Sequence, residues 1–202
     1  MTITNGYTDL ATLKGSDLIN ISATDTTSDA LLEVIIEAAS REIDADCGQY
    51  FYKSASDETR YYTAEFNDKF KLPDPLTSLS ALATDGDGSY TYANSWTTAD
   101  YDLAPYNASA KSEPYTALEV KIGSAYAFTC QRRGVKITGI FGWPAVPKKI
   151  TVACLQLSAR MFKRLSTPLG VASMAALGEV QVAIKEKDPD YWGYLAEYMG
   201  KA

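Results

Sequence analysis

Few side chains in this 202-residue sequence have the types and spacing that enzymatic chemistry requires. There is no histidine, so Ser-His-Asp and Cys-His nucleophile systems cannot form within one chain, and the commonest general acid and base is missing. Carboxylates, lysine and tyrosine remain as candidate catalytic groups. The carboxylates of Glu42, Asp44 and Asp46 are close in sequence but fall on different sides of a predicted helix end. We predict a solvated surface there and not an acid/base pair.

Candidate metal ligands are equally sparse. The stretch Asp-Gly-Asp-Gly (Asp85–Gly88) resembles the start of a calcium loop, but the twelfth position holds Trp96 where such a loop needs glutamate. A hairpin turn explains it better, because glycine supplies positive φ angles. Cys47, Cys130 and Cys154 form no Cys-x-x-Cys pair and are predicted to be small apolar residues in a reducing compartment. The sequence therefore predicts no metal and no cofactor.

The charge of the chain is divided by position. The formal net charge is −6, but residues 1–130 hold 8 Lys or Arg against 20 Asp or Glu, whereas residues 131–202 hold 11 against 5. One interpretation is scattered solvation charge, and the other is two surfaces that meet different partners. The sequence shows no apolar run of about 18 residues that could span a membrane, and no secretory signal at its start.

The first long element that could position side chains is a helix over residues 26–48. Thr27 or Ser28 is predicted to cap its N-terminus, and Gly48 is predicted to end it in a left-handed conformation. Residues at three- and four-residue spacing form one apolar stripe: Leu32, Ile35, Ile36, Ala39 and Ile43. A short capped turn is predicted at Ser16–Ile21.

Residues 55–131 have a different pattern, rich in Tyr, Thr, Phe and Val. Short strand-like segments alternate with turn signals, and Leu-Pro-Asp-Pro-Leu (Leu72–Leu76) is predicted to interrupt any ladder. A strand through Val135 and Ile137 then leads into a turn. The sequence thus predicts an α+β fold, with a small helical bundle core (residues 1–54 and 132–202) and a β-rich insertion (residues 55–131).

A second apolar helix follows Pro147, which suits the first helical position. Its stripe is Ile150, Ala153, Cys154, Leu157, Met161 and Leu165, and five Lys or Arg residues occupy its other positions. Those cations could bind nucleic acid, face solvent or contact a protein; the acidic pI of about 4.7 disfavours nucleic acid. A final helix is predicted to open at Asp188 and Pro189 and to carry several aromatic residues.

The order of these segments resembles the head–tail connector proteins of tailed bacteriophages, also called adaptors or head-completion proteins. The most specific segment is the TG-x-FGW-x-x-VP corner at residues 138–147, together with the helix after it. The early helix ending in Asp-x-Asp-Cys-Gly (residues 44–48), followed by aromatic residues, is the second. The resemblance covers roughly residues 28–52 and 132–200. The β-rich stretch between them is longer than in compact members, so nothing is carried over to it.

This resemblance implies a structural protein of the virion neck, synthesised in the host cytoplasm. It implies a homo-oligomeric ring beneath the portal vertex that matches the portal's twelve-fold symmetry, so that the ring is expected to hold twelve copies. The ring would extend the DNA channel, which DNA crosses without sequence-specific binding. It would present a surface to a stopper or tail-completion protein. No enzymatic activity, cofactor or membrane is implied.

Two sets of residues follow as predicted sites. The first is a structural corner that sets the direction of the following helix and so helps a ring to close: Gly139, Phe141, Gly142, Trp143, Pro144 and Pro147. The second is a portal-binding set in the last segment: Pro168, Leu169, Tyr191, Trp192, Tyr194 and Tyr198. The alternative for the last helix is that it closes the core of its own subunit. The alternative function is a surface- or carbohydrate-binding β module carried on a helical base.

Overall fold

The computed structural model describes residues 3–165 and 189–199, which divide into two compact units. The helical unit comprises the described residues up to Tyr50 and from Val146 onward, and the β unit is Phe51–Ala145. The predicted portal-binding residues Pro168 and Leu169 and the predicted cap Asp188 lie outside the described residues. Helices and an antiparallel sheet together confirm the predicted α+β class.

The helical unit contains α1 (Leu10–Gly15), α2 (Asp29–Cys47), α3 (Lys148–Leu165) and α4 (Pro189–Leu195). The predicted apolar stripe of α2 is buried, and Gly48 ends the helix at φ 68°, both as predicted. The predicted side-chain cap is wrong, because Ser28 makes no capping hydrogen bond. Asp29 in the first turn instead forms an ion pair with the buried Lys14, whose ammonium also donates to the Asp25 carbonyl at 2.6 Å.

Residues 16–19 form a turn, as predicted, in which the Ser16 hydroxyl accepts the Leu18 amide at 3.4 Å. The helix that precedes this turn, α1, was not predicted. Asp9 caps it, accepting a 2.8 Å hydrogen bond from the Thr12 amide and another from the Thr12 hydroxyl. These bonds, the backbone one first, lower the pKa of Asp9.

Helix α3 buries most of its predicted stripe, namely Ile150, Ala153, Cys154 and Leu157. The prediction fails in the last turn, where Met161 is half-buried and Leu165 is 65% exposed. Pro147 lies one residue before the helix, and its carbonyl accepts the Thr151 amide at 3.1 Å, as a capping residue does. None of the described helices combines the length and apolar character needed to cross a bilayer.

The β unit is one antiparallel sheet in the order β1-β6-β2-β5-β4, with β3 also paired to β2. Its strands are β1 (Glu58–Tyr62), β2 (Lys69–Thr84), β3 (Asn94–Trp96), β4 (Tyr101–Ala104), β5 (Tyr115–Val120) and β6 (Val135–Phe141). One face carries a core in which the Phe128 ring lies 4.8 Å from that of Trp96 and 5.7 Å from that of Phe70. Strand β6 alternates buried and half-buried residues, in agreement with the predicted strand.

Strand β2 passes through Leu72–Leu76, where the sequence predicted an interruption. The strand tolerates Pro73 and Pro75 because it changes its main partner there. Lys69–Lys71 pair with β5, and Ser78–Thr84 pair with β6, with register shifts between these segments. A proline nitrogen cannot donate to a ladder, so it fits best where the ladder changes sides.

The loop after β2 contains the Asp-Gly-Asp-Gly stretch. It joins the antiparallel strands β2 and β3, so the predicted hairpin is confirmed, although the connection is longer than a two-residue turn. Asp85 is buried at its base and accepts the Tyr90 amide at 2.9 Å. Hydrogen bonds from Ser89 lower the pKa of Asp87 to about 2. The carboxylates therefore order the loop itself.

Candidate corner and partner-binding surfaces

The predicted corner begins where β6 ends in the β unit. Its backbone is fixed by two other segments, residues 53–54 and residues 75–77. The Gly142 amide donates to the Pro75 carbonyl at 2.7 Å, and the Gly142 carbonyl accepts the Thr77 hydroxyl at 2.8 Å. The Phe141 amide donates to the Ser54 hydroxyl at 3.0 Å, and Lys53 forms a bridge with Gly142. Three stretches distant in sequence therefore meet at this one point.

Two positions of the corner require glycine for steric reasons. Gly142 has φ 106°, and a Cβ there would overlap the Tyr52 carbonyl oxygen. A Cβ at Gly139 would overlap the Ser78 carbonyl oxygen of β2. The local sequence marks these positions as turn residues, but the close contacts come from strands far away in the chain.

The aromatic residues of the corner are buried within the β unit. Phe141 is fully buried, and the Arg60 guanidinium lies 4.1 Å from the centre of its ring. Trp143 is 8% exposed, and its ring centre lies 5.5 Å from that of Phe51. Pro144 is half-buried. The corner is therefore part of a packed core, which suits a structural role.

Helix α4 and the turn after it hold the described residues of the predicted portal-binding set. The Tyr191 hydroxyl donates to Asp46 of α2 at 2.6 Å, and both burial and this carboxylate raise the pKa of Tyr191. The Gln49 side-chain Nε2 donates to the Tyr198 carbonyl at 2.8 Å, and Lys149 pairs with Glu197 at 2.6 Å. These contacts attach α4 to α2 and α3 of its own unit.

The aromatic side chains of this segment therefore divide into two groups. Tyr191 and Tyr198 are buried in the helical unit, Tyr194 is half-buried, and Trp192 is 39% exposed. Binding of portal by these residues stays a prediction. Of the described members, Trp192 presents the most surface to a partner.

Sequence reasoning missed the opposite face of α2. Leu31 and Val34 are 45% and 47% exposed, and Ala38 and Ala45 are exposed as well. Spacings of three, four and seven residues place these four on one side of the helix, away from its buried stripe. A second stripe of this kind was visible in the sequence. It was overlooked because the buried stripe already accounted for the helix.

The β unit also presents an aromatic and cationic cluster. Arg133 lies 4.7 Å from the ring centre of Tyr61 and 5.6 Å from that of Tyr90, and Lys136 lies 5.6 Å from that of Tyr92. Tyr61, Tyr90 and Arg133 are exposed. Tyr90, Tyr92 and Arg133 all have positive φ angles, which non-glycine residues seldom adopt. Among the described residues, no group of three or more His, Cys, Asp or Glu could hold a metal ion.

Comparison with solved structures finds the same fold in phage-like particles. The chain is similar to a chain in the neck of an empty gene transfer agent particle computed with C6 symmetry, with a TM-score of 0.57 and 16% identity. It is similar, at 17% identity and a TM-score of 0.54, to chains in the native neck computed with C12 symmetry and in the native virion. Each match covers 98% of this chain and 92% of the other.

These likenesses confirm, at the level of the fold, the neck-protein resemblance that the sequence predicted. They extend over the β-rich stretch, to which the sequence resemblance carried nothing over. No protein-family model matches the sequence, and no curated protein is similar to it.

Proposed function

We infer that the chain is a structural head–tail connector of a tailed, phage-like particle. It forms a homo-oligomeric ring in the neck, beneath the portal, extends the DNA channel and docks the next neck or tail protein. The observation that carries this proposal is the fold shared with chains of gene transfer agent necks over 98% of the sequence. A likeness along the whole chain favours a shared role more than a likeness of one unit would.

The properties of the chain agree with this role. The partners are the portal protein on one side and a stopper or tail-completion protein on the other. DNA passes through the ring without sequence-specific contacts, and the net charge of −6 limits its adhesion to the protein. No catalytic step or cofactor forms part of the proposal, and the sequence contains no histidine.

Labelling of intact particles tests the position in the virion. A small epitope tag at an exposed loop of the β unit, such as the one containing Lys111, leaves the strands undisturbed. Gold-labelled antibody should then mark the head–tail junction of negatively stained particles. Label on the capsid surface or at the tail tip, with none at the junction, would rule out the neck assignment.

A second function is favoured by the tyrosine and arginine cluster around Arg133. Exposed aromatic rings beside a cation are suited to stacking on a sugar ring, so the β unit could bind a carbohydrate surface. A glycan array probed with the full-length protein tests this directly. Binding that disappears in Tyr61→Ala and Tyr90→Ala variants supports the second function; an array without signal removes it.

A further inference from the structure

The outward side of α2 combines apolar and acidic residues. Its exposed apolar residues are Ala30, Leu31, Val34, Ala38 and Ala45, and the exposed Arg41, which pairs with Asp44, lies among them. Half-buried carboxylates flank the stripe on both sides: Glu33, Glu37 and Asp44 on one, Glu42 and Asp46 on the other. The outward side of a surface helix is ordinarily polar, so this pattern is typical of a face that is covered in an assembly. We call these residues the α2 face.

The outward side of α3 has the opposite charge. Val152 is 38% exposed, and Leu155 and Phe162 on the same side are half-buried. Ala159, which lies between Leu155 and Phe162 on this side, is buried. Five Lys or Arg residues lie in α3, which contains no Asp or Glu; α2 contains six Asp or Glu and one Arg. Lys148 and Lys163 lie on the same side of α3 as Val152. We call Val152, Leu155, Phe162, Lys148 and Lys163 the α3 face.

We propose that the α2 face of one copy binds the α3 face of the next copy in the ring, an inference that rests on the proposed function. Two features of the molecule select a second copy as the occupant. The faces carry charges of opposite sign, and each presents apolar residues along one side of a helix, so that two helices can pack along a stripe.

The two faces differ from each other, so the contact is heterologous. A heterologous contact repeats from copy to copy and produces a closed ring when the rotation between copies is right. The apolar stripes supply the buried area, and the flanking charges set orientation and association rate. Some of these carboxylates also have partners in their own subunit, because Asp44 pairs with Arg41 and Asp46 accepts the Tyr191 hydroxyl. The apolar residues are therefore the better positions for a test.

Cross-linking with paired cysteines tests the contact in the full-length protein. The background is Cys130→Ser, which removes the exposed native cysteine and leaves Cys47 and Cys154, both buried. One variant adds Val34→Cys on the α2 face, and another adds Val152→Cys on the α3 face. A short bis-maleimide should cross-link the two variants into a dimer when they are mixed. The dimer yield should fall in high salt, since screening weakens the attraction between the faces.

Two control samples and one double variant show whether the cross-link is specific to the contact between the α2 face and the α3 face. The Val34→Cys variant alone should give no dimer, because two α2 faces repel each other, and a mixture with Lys111→Cys in the β unit should give none. A double variant carrying Val34→Cys and Val152→Cys should give a ladder of multimers. Equal cross-linking of Val34→Cys with itself would overturn the heterologous contact, as would a mixture that gives no dimer.

These outcomes separate the inference from the proposed function. If wild-type protein forms rings on the portal but the paired cysteines do not cross-link, the connector function stands and this interface is wrong. If the cysteines give a ladder but no ring forms on the portal, the interface is right and the connector function is wrong.

Discussion

At the residue scale, both corner glycines are required because a side chain would overlap the backbone of a neighbouring segment. Gly142 is also required because its backbone has a positive φ angle. Gly139 lies against the backbone of β2, and Gly142 adds a positive φ to a similar close contact. Two other glycines complete the comparison. Gly48 has a positive φ of 68° in open space, and Gly193 in α4 has neither constraint.

Alanine substitution of these four glycines should therefore give a graded series. Gly142→Ala should destabilise most, by well over about 1 kcal/mol, since strain and overlap act together. Gly139→Ala should be the next most destabilising, and Gly48→Ala should cost about 1 kcal/mol. Gly193→Ala should stabilise the protein slightly, because alanine favours a helix by up to about 1 kcal/mol over glycine. Urea unfolding curves measure all four, and a Gly142→Ala variant as stable as wild type would refute the steric argument.

Trp143 offers a second test at this scale. Because its indole is buried beside Phe51, Trp143→Ala should destabilise the β unit by about 3–5 kcal/mol. Trp192→Ala is the matched control: its side chain is 39% exposed, so the cost should stay within about 1 kcal/mol. Thermal melting followed by circular dichroism distinguishes the two, and an unchanged melting temperature for Trp143→Ala would contradict its burial.

Tyrosine ionisation predicts how stability depends on pH. Burial, then the hydrogen bond to a carboxylate, raises the pKa of Tyr191 and likewise of Tyr62, which donates to Asp74 at 2.8 Å. In the unfolded chain both have a pKa of about 10. The unfolded state therefore loses its protons first, so stability is retained below about pH 10 and falls as pH rises further. The midpoint of urea unfolding should decline less steeply above pH 10 in a Tyr62→Phe, Tyr191→Phe variant; identical slopes would exclude this cause.

At the element scale, α4 packs against other helices of its own subunit. Its contacts with Asp46 and Gln49 and the pairing of Lys149 with Glu197 place it against α2 and α3. The aromatic residues of the last segment suggested docking from sequence alone, because exposed aromatics near a chain end favour a partner. The spacing of apolar residues could not distinguish a helix that packs in the core of its own subunit from a helix that binds another protein.

Truncation after Lys187 tests the role of α4. Removing the segment exposes the surface that Tyr191, Leu195 and Tyr198 cover, at a cost of several kcal/mol, since each such side chain contributes roughly 1.5–3 kcal/mol on burial. The truncated protein should melt at a markedly lower temperature by circular dichroism. A truncated protein that melts like the full chain but no longer binds portal would instead support the docking interpretation of this helix.

The same scale shows which elements a sequence can predict. Helix α2 has five apolar residues at helical spacing and a terminal glycine, so local pattern was sufficient. Helix α1 has six residues and was not predicted, because so short a helix depends on its Asp9 cap. The sequence analysis predicted that the prolines would interrupt β2. The strand continues because it changes its pairing partner from β5 to β6 at the prolines, and these partners are distant in the chain. Pairing of β1 with β6 likewise has no local signature.

At the scale of the whole molecule, charge and symmetry are connected. The acidic α2 and the basic α3 give the helical unit two unlike faces, and a ring requires two unlike faces on every copy. The faces are small and partly charged, so we expect the purified protein to be mainly monomeric, with brief contacts between copies that a cross-linker can trap. We expect the closed ring to form only on the portal, where many copies are brought together. The order of genes is informative too: the account expects this gene between portal or capsid genes and tail genes.

Imaging of the complex with portal is the most direct test of the proposal that this chain forms a ring on the portal. The portal protein encoded in the same genome is mixed with an excess of this chain, and the complex is purified and imaged by electron microscopy with symmetry determined from the particles. We predict a closed ring coaxial with the portal, with twelve copies if the ring follows the C12 symmetry of the similar neck structure. A tight complex that holds one or two copies per portal, with no ring, would contradict it.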